Sequence, residues 1–121
     1  MEDEELCQAY KVFENKHDLI VTIVKKGESE KIIEATRKAG AEGGTIMFGR
    51  GIGIHEKVKL LGIPIEPEKE IIFTIVKKDI VENVLGSIVK AVNLDKPGTG
   101  IAFVIELSKV LGICHFKENI S

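Results

Sequence analysis

The sequence predicts an α+β domain in which one β-α-β unit is written twice, and three observations carry that prediction. The first is an internal repeat. Leu19-Ile20-Val21-Thr22-Ile23-Val24-Lys25-Lys26 returns 52 residues later as Ile71-Ile72-Phe73-Thr74-Ile75-Val76-Lys77-Lys78, ending in five consecutive identities, Thr-Ile-Val-Lys-Lys. The second is a change of apolar spacing after each copy, from the continuous β-branched run of a strand to the three-and-four spacing of a helix. The third is a glycine-bearing turn and a second apolar run that close each unit. Two such units in tandem make the ferredoxin-like double β-α-β arrangement around an antiparallel sheet.

The elements follow in order. Residues 1–16 open with Met1-Glu2-Asp3-Glu4-Glu5 and read as an acidic N-terminal extension with helical potential; residues 17–121 read as a single domain. Repeat one occupies 17–49. Its helix runs from about Glu28 to Ala39, with Ile32, Ile33 and Ala35 or Thr36 toward the core and Glu30, Lys31, Arg37 and Lys38 outside. Gly40 and Gly43 suit its stop, and Gly44-Thr45-Ile46-Met47-Phe48 supplies the next strand. A loop at 50–69 leads to repeat two, 70–106, whose helix runs from about Ile80 to Val92 with Val81, Val84, Leu85, Ile88 and Val89 on one face. Thr99-Gly100-Ile101-Ala102-Phe103-Val104 is its second strand. Ile46 matches Ile101 and Phe48 matches Phe103 at a spacing of 55, which implies a second turn three residues longer than the first. Residues 107–116, centred on Val110-Leu111-Gly112-Ile113, read as a short fifth strand. Helices cover one sheet face only, so the other calls for oligomerisation.

Composition narrows the function. A chain of 121 residues is the size of one domain, and 44% apolar with 30% charged residues is that of a soluble globule. A net charge of −2, with no more than two consecutive Lys or Arg, speaks against a nucleic-acid partner. Cys7 and Cys114 have no zinc-like spacing and read as reduced thiols of a cytoplasmic protein. An acidic start is unlike a signal peptide, and no apolar stretch reaches the ~20 residues of a membrane span, so direct membrane insertion is not expected.

Two loops carry unusual chemistry. The first starts at Gly49-Arg50-Gly51-Ile52-Gly53-Ile54-His55 and is about 20 residues long, where 4–6 is usual. Its apolar Val58, Leu60, Leu61, Ile63 and Ile65 suit docking into a partner, the alternative being packing on a neighbouring subunit or in a local helix. Its Gly-x-Gly-x-Gly lacks the spacing of a dinucleotide fingerprint. Glycine amides with Arg50 beside them instead make an anion nest, or else a hinge with an exposed arginine. In the second loop, Asn93 to Gly100, Gly98 and Gly100 permit close backbone approach, Thr99 offers a hydroxyl and Lys96 a charge; a plain turn is the alternative.

Phe48-Gly49-Arg50 at the root of a long loop, then Lys96-Pro97-Gly98-Thr99-Gly100-Ile101-Ala102-Phe103-Val104 and Val110-Leu111-Gly112-Ile113, on a duplicated frame, resemble the PII nitrogen-regulatory family over residues 18–115. The resemblance implies a homotrimer that is a signal-transduction regulator, not an enzyme, with adenine-nucleotide effectors (AMP, ADP or ATP) in clefts between subunits and no required cofactor. It names the first loop the T-loop, which inserts into a membrane transporter or metabolic enzyme of nitrogen metabolism; the apolar Val58, Leu60, Leu61, Ile63 and Ile65 are then its expected contact surface. It places Gly49 and Arg50 near the phosphates, Lys96, Gly98, Thr99 and Gly100 of the B-loop around them, and Thr45 toward the adenine. Departures accompany it: the family's T-loop glutamine is Gly51 here, its B-loop lysine is Ile101, and two C-terminal arginines fall on Gly112 and Cys114. Each lost charged hydrogen bond is worth about 1.5–3 kcal/mol, which disfavours a triphosphate of the usual kind. The T-loop from Arg50 to Glu70 has no Tyr, Ser or Thr to be uridylylated or phosphorylated.

The rival readings are a structural trimer of similar fold without nucleotide sensing and a metal-binding one like the cation-tolerance proteins. Cys114-His115, His17 and His55 are the latter's only donors, and adjacent Cys-His has no established ligand spacing, so no metal is expected. No Ser-His-Asp set or P-loop supports an enzyme.

Overall fold

The computed structural model describes residues 11–53, 59–60, 63–64 and 67–113. Its elements are β1 (Val12–Lys25), α1 (Ser29–Lys38), β2 (Thr45–Arg50), β3 (Lys59–Leu60), β4 (Ile63–Pro64), β5 (Glu68–Lys77), a 3-10 turn (Lys78–Ile80), α2 (Val81–Val92) and β6 (Gly100–Leu111). The main sheet runs β2-β5-β1-β6 with all neighbours antiparallel. The two repeated octapeptides become its central strands, with Ile20 opposite Thr74 and Thr22 opposite Ile72. This is the ferredoxin-like α+β fold.

Strand alternation separates two faces. Ile20, Val24, Ile72 and Val76 point under the helices, where they pack with Ile32 of α1 and Val84, Ile88 and Val92 of α2 in one core. Both helices sit on this side because their apolar residues recur at helical spacing and bury one stripe each. The first helix stops where Gly40, at φ 113°, lets Ala41 N–H reach Thr36 O and Gly40 N–H reach Arg37 O, a Schellman closure. Asn93, at φ 56°, ends α2 in the same left-handed conformation. The other face carries Met47, Leu19, Val21, Ile23, Ile71, Phe73, Ile75, Ile101, Phe103 and Ile105, and no element of the described chain covers it. Ile75, Ile101, Phe103 and Ile105 stay 42–56% exposed there.

Three expectations need correction. First, β1 begins at Val12, inside the segment read as an extension, because Val12, Phe13 and Glu14 pair with Leu111, Val110 and Lys109. A bulge between Glu14 and His17, with Asn15 at φ 56°, joins this ribbon to the sheet. Second, the expected fifth strand is the continuation of β6, an unbroken strand to Leu111. Third, the spacing of 55 misaligns the closing strands. Thr45 lies opposite Phe73 and Phe103 opposite Val21, so Thr45 and Phe103 are the equivalent positions. Matching by residue identity slipped by three, and an odd slip exchanges the faces: Ile46 lies on the helix side and Ile101 on the open side.

Residues 1–10 and 114–121, with Cys7, Cys114 and His115, lie outside the described residues. Among the described residues no helix is long and apolar enough to cross a membrane.

Candidate functional site

At one end of the open face, the end of β2 and the α2–β6 loop rise on either side of the sheet. Between them is a cleft of about 720 Å³. Ile23, Ile71 and Ile101 from β1, β5 and β6 contribute apolar lining, Arg50, Gly51, Ile52 and Gly53 the side of the loop after β2, and Leu94 to Gly98 with Gly100 the other. Arg50, Lys69 and Lys96 line it against one carboxylate, Asp95, so its field is positive. Lys69 also lies directly across from Lys25 in the β1–β5 register.

The sequence-derived site residues divide as follows. Arg50, Lys96, Gly98 and Gly100 meet in this cleft although their two loops are far apart in sequence. Gly49 lines a neighbouring cleft, described below. Thr45 is exposed at the far end of β2, opposite Phe73, and does not line the cleft. Thr99 turns inward: its Oγ1 donates toward Asn93 O and Lys96 O, both at 2.9 Å, and so braces the loop. Of the apolar residues in the loop after β2, Leu60 pairs with Ile63 across the two-stranded β3–β4 ribbon, while Val58, Leu61 and Ile65 lie outside the described residues.

Gly100 shows why the loop needs glycine. At φ 145° a Cβ there would stand 2.5 Å from Ile23 O and 2.9 Å from Val24 Cγ1, so the loop is anchored to β1 by a contact no side chain permits. Gly98 adopts φ 81°. Sequence reasoning missed Lys69 as a cleft residue. Its signal is positional, since it stands opposite Gly49 in the β2–β5 register.

On the helix side of the same strand ends, Lys26, Phe48, Gly49, Arg50 and Glu68 line a second cleft of about 440 Å³. Lys26 Nζ lies 2.9 Å from Glu68 Oε1. The hydrogen bond from Lys26, then its charge, and more weakly the charge of Arg50, hold the Glu68 carboxyl below the usual range; Glu68 in turn raises Lys26. A third cleft, of about 390 Å³ at the opposite end of the sheet, is lined by His17, Glu42, Lys77 and Asp79 among others. Among the described residues no group of three His, Cys, Asp or Glu side chains could hold a metal ion.

Known proteins bear on this arrangement. The sequence model for the family described as Nitrogen regulatory protein P-II matches residues 17–115. Among curated proteins there is no match. Among solved structures, Arabidopsis thaliana PII bound to citrate is similar at 26% identity and a TM-score of 0.61, covering 78% of this chain and 79% of that one. The duplicated frame, the order of its two loops and a family match over most of the chain agree, and this protein belongs to the nitrogen regulatory P-II family of signalling regulators.

Proposed function

We propose that this protein binds an adenine nucleotide or related polyanion in the cleft between the T-loop root and the B-loop, within a trimer, and controls a partner transporter or enzyme through the T-loop. The observation that carries the reading is the convergence of Arg50 and Lys96 with the glycine backbone of Gly98 and Gly100 on one cleft. Guanidinium, ammonium and glycine amides are the donors a phosphate group requires. The structural relative is bound to citrate, itself a polyanion.

Ile101 sets the preference. It lines the cleft where the family carries a lysine, and Gly51 replaces the glutamine of the T-loop root. With fewer donors, ADP or AMP binds at least as well as ATP, and 2-oxoglutarate adds nothing. Calorimetry with AMP, ADP, ATP, and ATP plus 2-oxoglutarate tests this. Arg50→Ala or Lys96→Ala is expected to weaken binding about tenfold, the equivalent of one charged hydrogen bond at ~1.4 kcal/mol. Tight ATP binding that strengthens with 2-oxoglutarate contradicts the stated preference. Heat from no nucleotide removes nucleotide sensing and leaves a structural trimer.

Partner control rests on the T-loop, whose β3–β4 ribbon gives it pairing of its own outside the main sheet. Deleting residues 54–65 is expected to abolish partner capture and leave assembly intact. Unfolding of the deletion variant would make the loop part of the core instead.

A further inference from the structure

Arg50 borders two clefts at once, the polyanion cleft on the open face and the smaller one on the helix side. At this end of the sheet Arg50 stands in a row of charges contributed by β2, β5 and the residue that follows β1. Arg50 on β2 is the direct partner of Glu68 on β5. The β1–β5 register ends at Lys25 opposite Lys69, so Lys26 and Glu68 are the next facing positions. Cation, carboxylate and cation therefore lie side by side, with opposite charges on neighbouring segments of the sheet end. The carboxylate is unequally shared. Among the described residues Lys26, not Arg50, forms the ion pair with Glu68, at 2.9 Å. Glu70, the next carboxylate on this face of β5, is committed to the start of α1 through its bond to Ser29 N–H.

We propose that Lys26 acts as a positioning residue: by holding Glu68, it keeps that carboxylate from closing on Arg50 and leaves the guanidinium available to an anion in the open-face cleft. The anion role of Arg50 rests on the reading given under Proposed function; the row itself does not. Glu68 is then an internal competitor of the ligand, and its hold on Arg50 sets affinity without Glu68 or Lys26 lining the polyanion cleft. The row lies in solvent, with Lys26 and Glu68 side chains 68% and 57% exposed, so its effect is modest and weakens with salt.

Two measurements on the whole protein test the proposal. The first needs no ligand: carbon NMR titration of the Glu68 carboxyl in the wild type, Lys26→Ala, and Lys26→Ala with Arg50→Ala. Glu68 is expected to stay depressed in Lys26→Ala, because Arg50 takes the carboxylate over, and to return to an ordinary value only in the double variant. Return to an ordinary value in Lys26→Ala alone would overturn the row. The second is ADP calorimetry on Lys26→Ala, Glu68→Gln and their combination. Lys26→Ala is expected to weaken binding about two- to fivefold and Glu68→Gln to strengthen it by a similar factor. Lys26→Ala is expected to have no effect once Glu68 is Gln. An equal loss in both backgrounds would mean that Lys26 attracts the ligand directly, and the proposal fails. No ADP heat in the wild type defeats the nucleotide reading, while the titration decides the row by itself.

Discussion

Glu70 Oε1 accepts a hydrogen bond from the backbone N–H of Ser29 at 2.8 Å, so a carboxylate from β5 caps a helix that begins 41 residues earlier in the chain. The helix has no side-chain cap of its own: Glu28, at its N-cap, makes no such bond. The equivalent position in the other repeat is Asp18, which instead accepts from Lys78 Nζ at 2.6 Å. One repeated position thus serves a helix N-terminus in one half and a lysine in the other.

Glu70 makes the fold acid-sensitive. It is buried, and hydrogen bonds from Gly27 N–H first, then from the Ser29 hydroxyl and the Ser29 and Glu28 amides, lower its pKa against the opposing cost of burial. The unfolded chain therefore binds this proton more readily than the native one. The stabilisation is complete above the ordinary carboxylate value of about 4.3 and is lost as pH falls through the lowered native value. Glu70→Gln is expected to cost about 1–2 kcal/mol at neutral pH, with a gap from wild type that narrows on acidification. Urea melts of both proteins across the acid range measure it. A pH-independent gap would assign the loss to packing.

Thr22 and Thr74, the same residue in the two repeats, are fully buried under the helices, and neither Oγ1 has a hydrogen-bond partner among the described residues. Valine has the same branched shape and no hydroxyl to desolvate. Each Thr→Val change is expected to raise stability by about 1 kcal/mol. Loss of stability in thermal melts would reveal a partner for the hydroxyl, such as a buried water.

The uncovered sheet face predicts assembly. Phe103 and Ile105 are 42% and 45% exposed on it, beside Ile75 and Ile101. An apolar face of this kind is a surface for association. A mass near three protomers by light scattering is expected, and Phe103→Asp is expected to shift it toward the monomer. A monodisperse wild-type monomer would remove the trimer and the between-subunit placement of the ligand.

Legibility in the sequence followed the range of the physics. Strand and helix alternation is local, so the octapeptides and the spacing of Val81, Val84 and Ile88 marked the elements to within a few residues. Pairing is not local. Nothing near Val12 announces a strand, because it is one through Leu111, at the other end of the chain. The same limit explains the face of Ile101, which depends on standing opposite Ile23. Arg50, Lys96, Gly98 and Gly100, which line one cleft, were singled out through the order and spacing of the family's two loop motifs, since either loop alone reads equally as a hinge or a plain turn. Lys69 was not, since it enters the cleft only through the register of β5.

Thr99 separates bracing from ligand contact. Its hydroxyl has one proton, and the acceptors within 2.9 Å are two carbonyls of its own loop, Asn93 O and Lys96 O. That proton is spent inward, where it ties together the end of α2 and Lys96, one of the two lysines that line the cleft. Lys96 N–H also reaches Asn93 O, at 3.0 Å, so the turn closes on one carbonyl. Thr99→Val is expected to loosen the loop: amide hydrogens of Lys96 and Thr99 exchange faster in the ligand-free protein, and ADP affinity falls several-fold, on the order of one neutral hydrogen bond. Thr99→Ser keeps the hydroxyl and is expected to restore both. Were Thr99 a direct ligand contact instead, the valine variant would lose affinity with the exchange of the free loop unchanged.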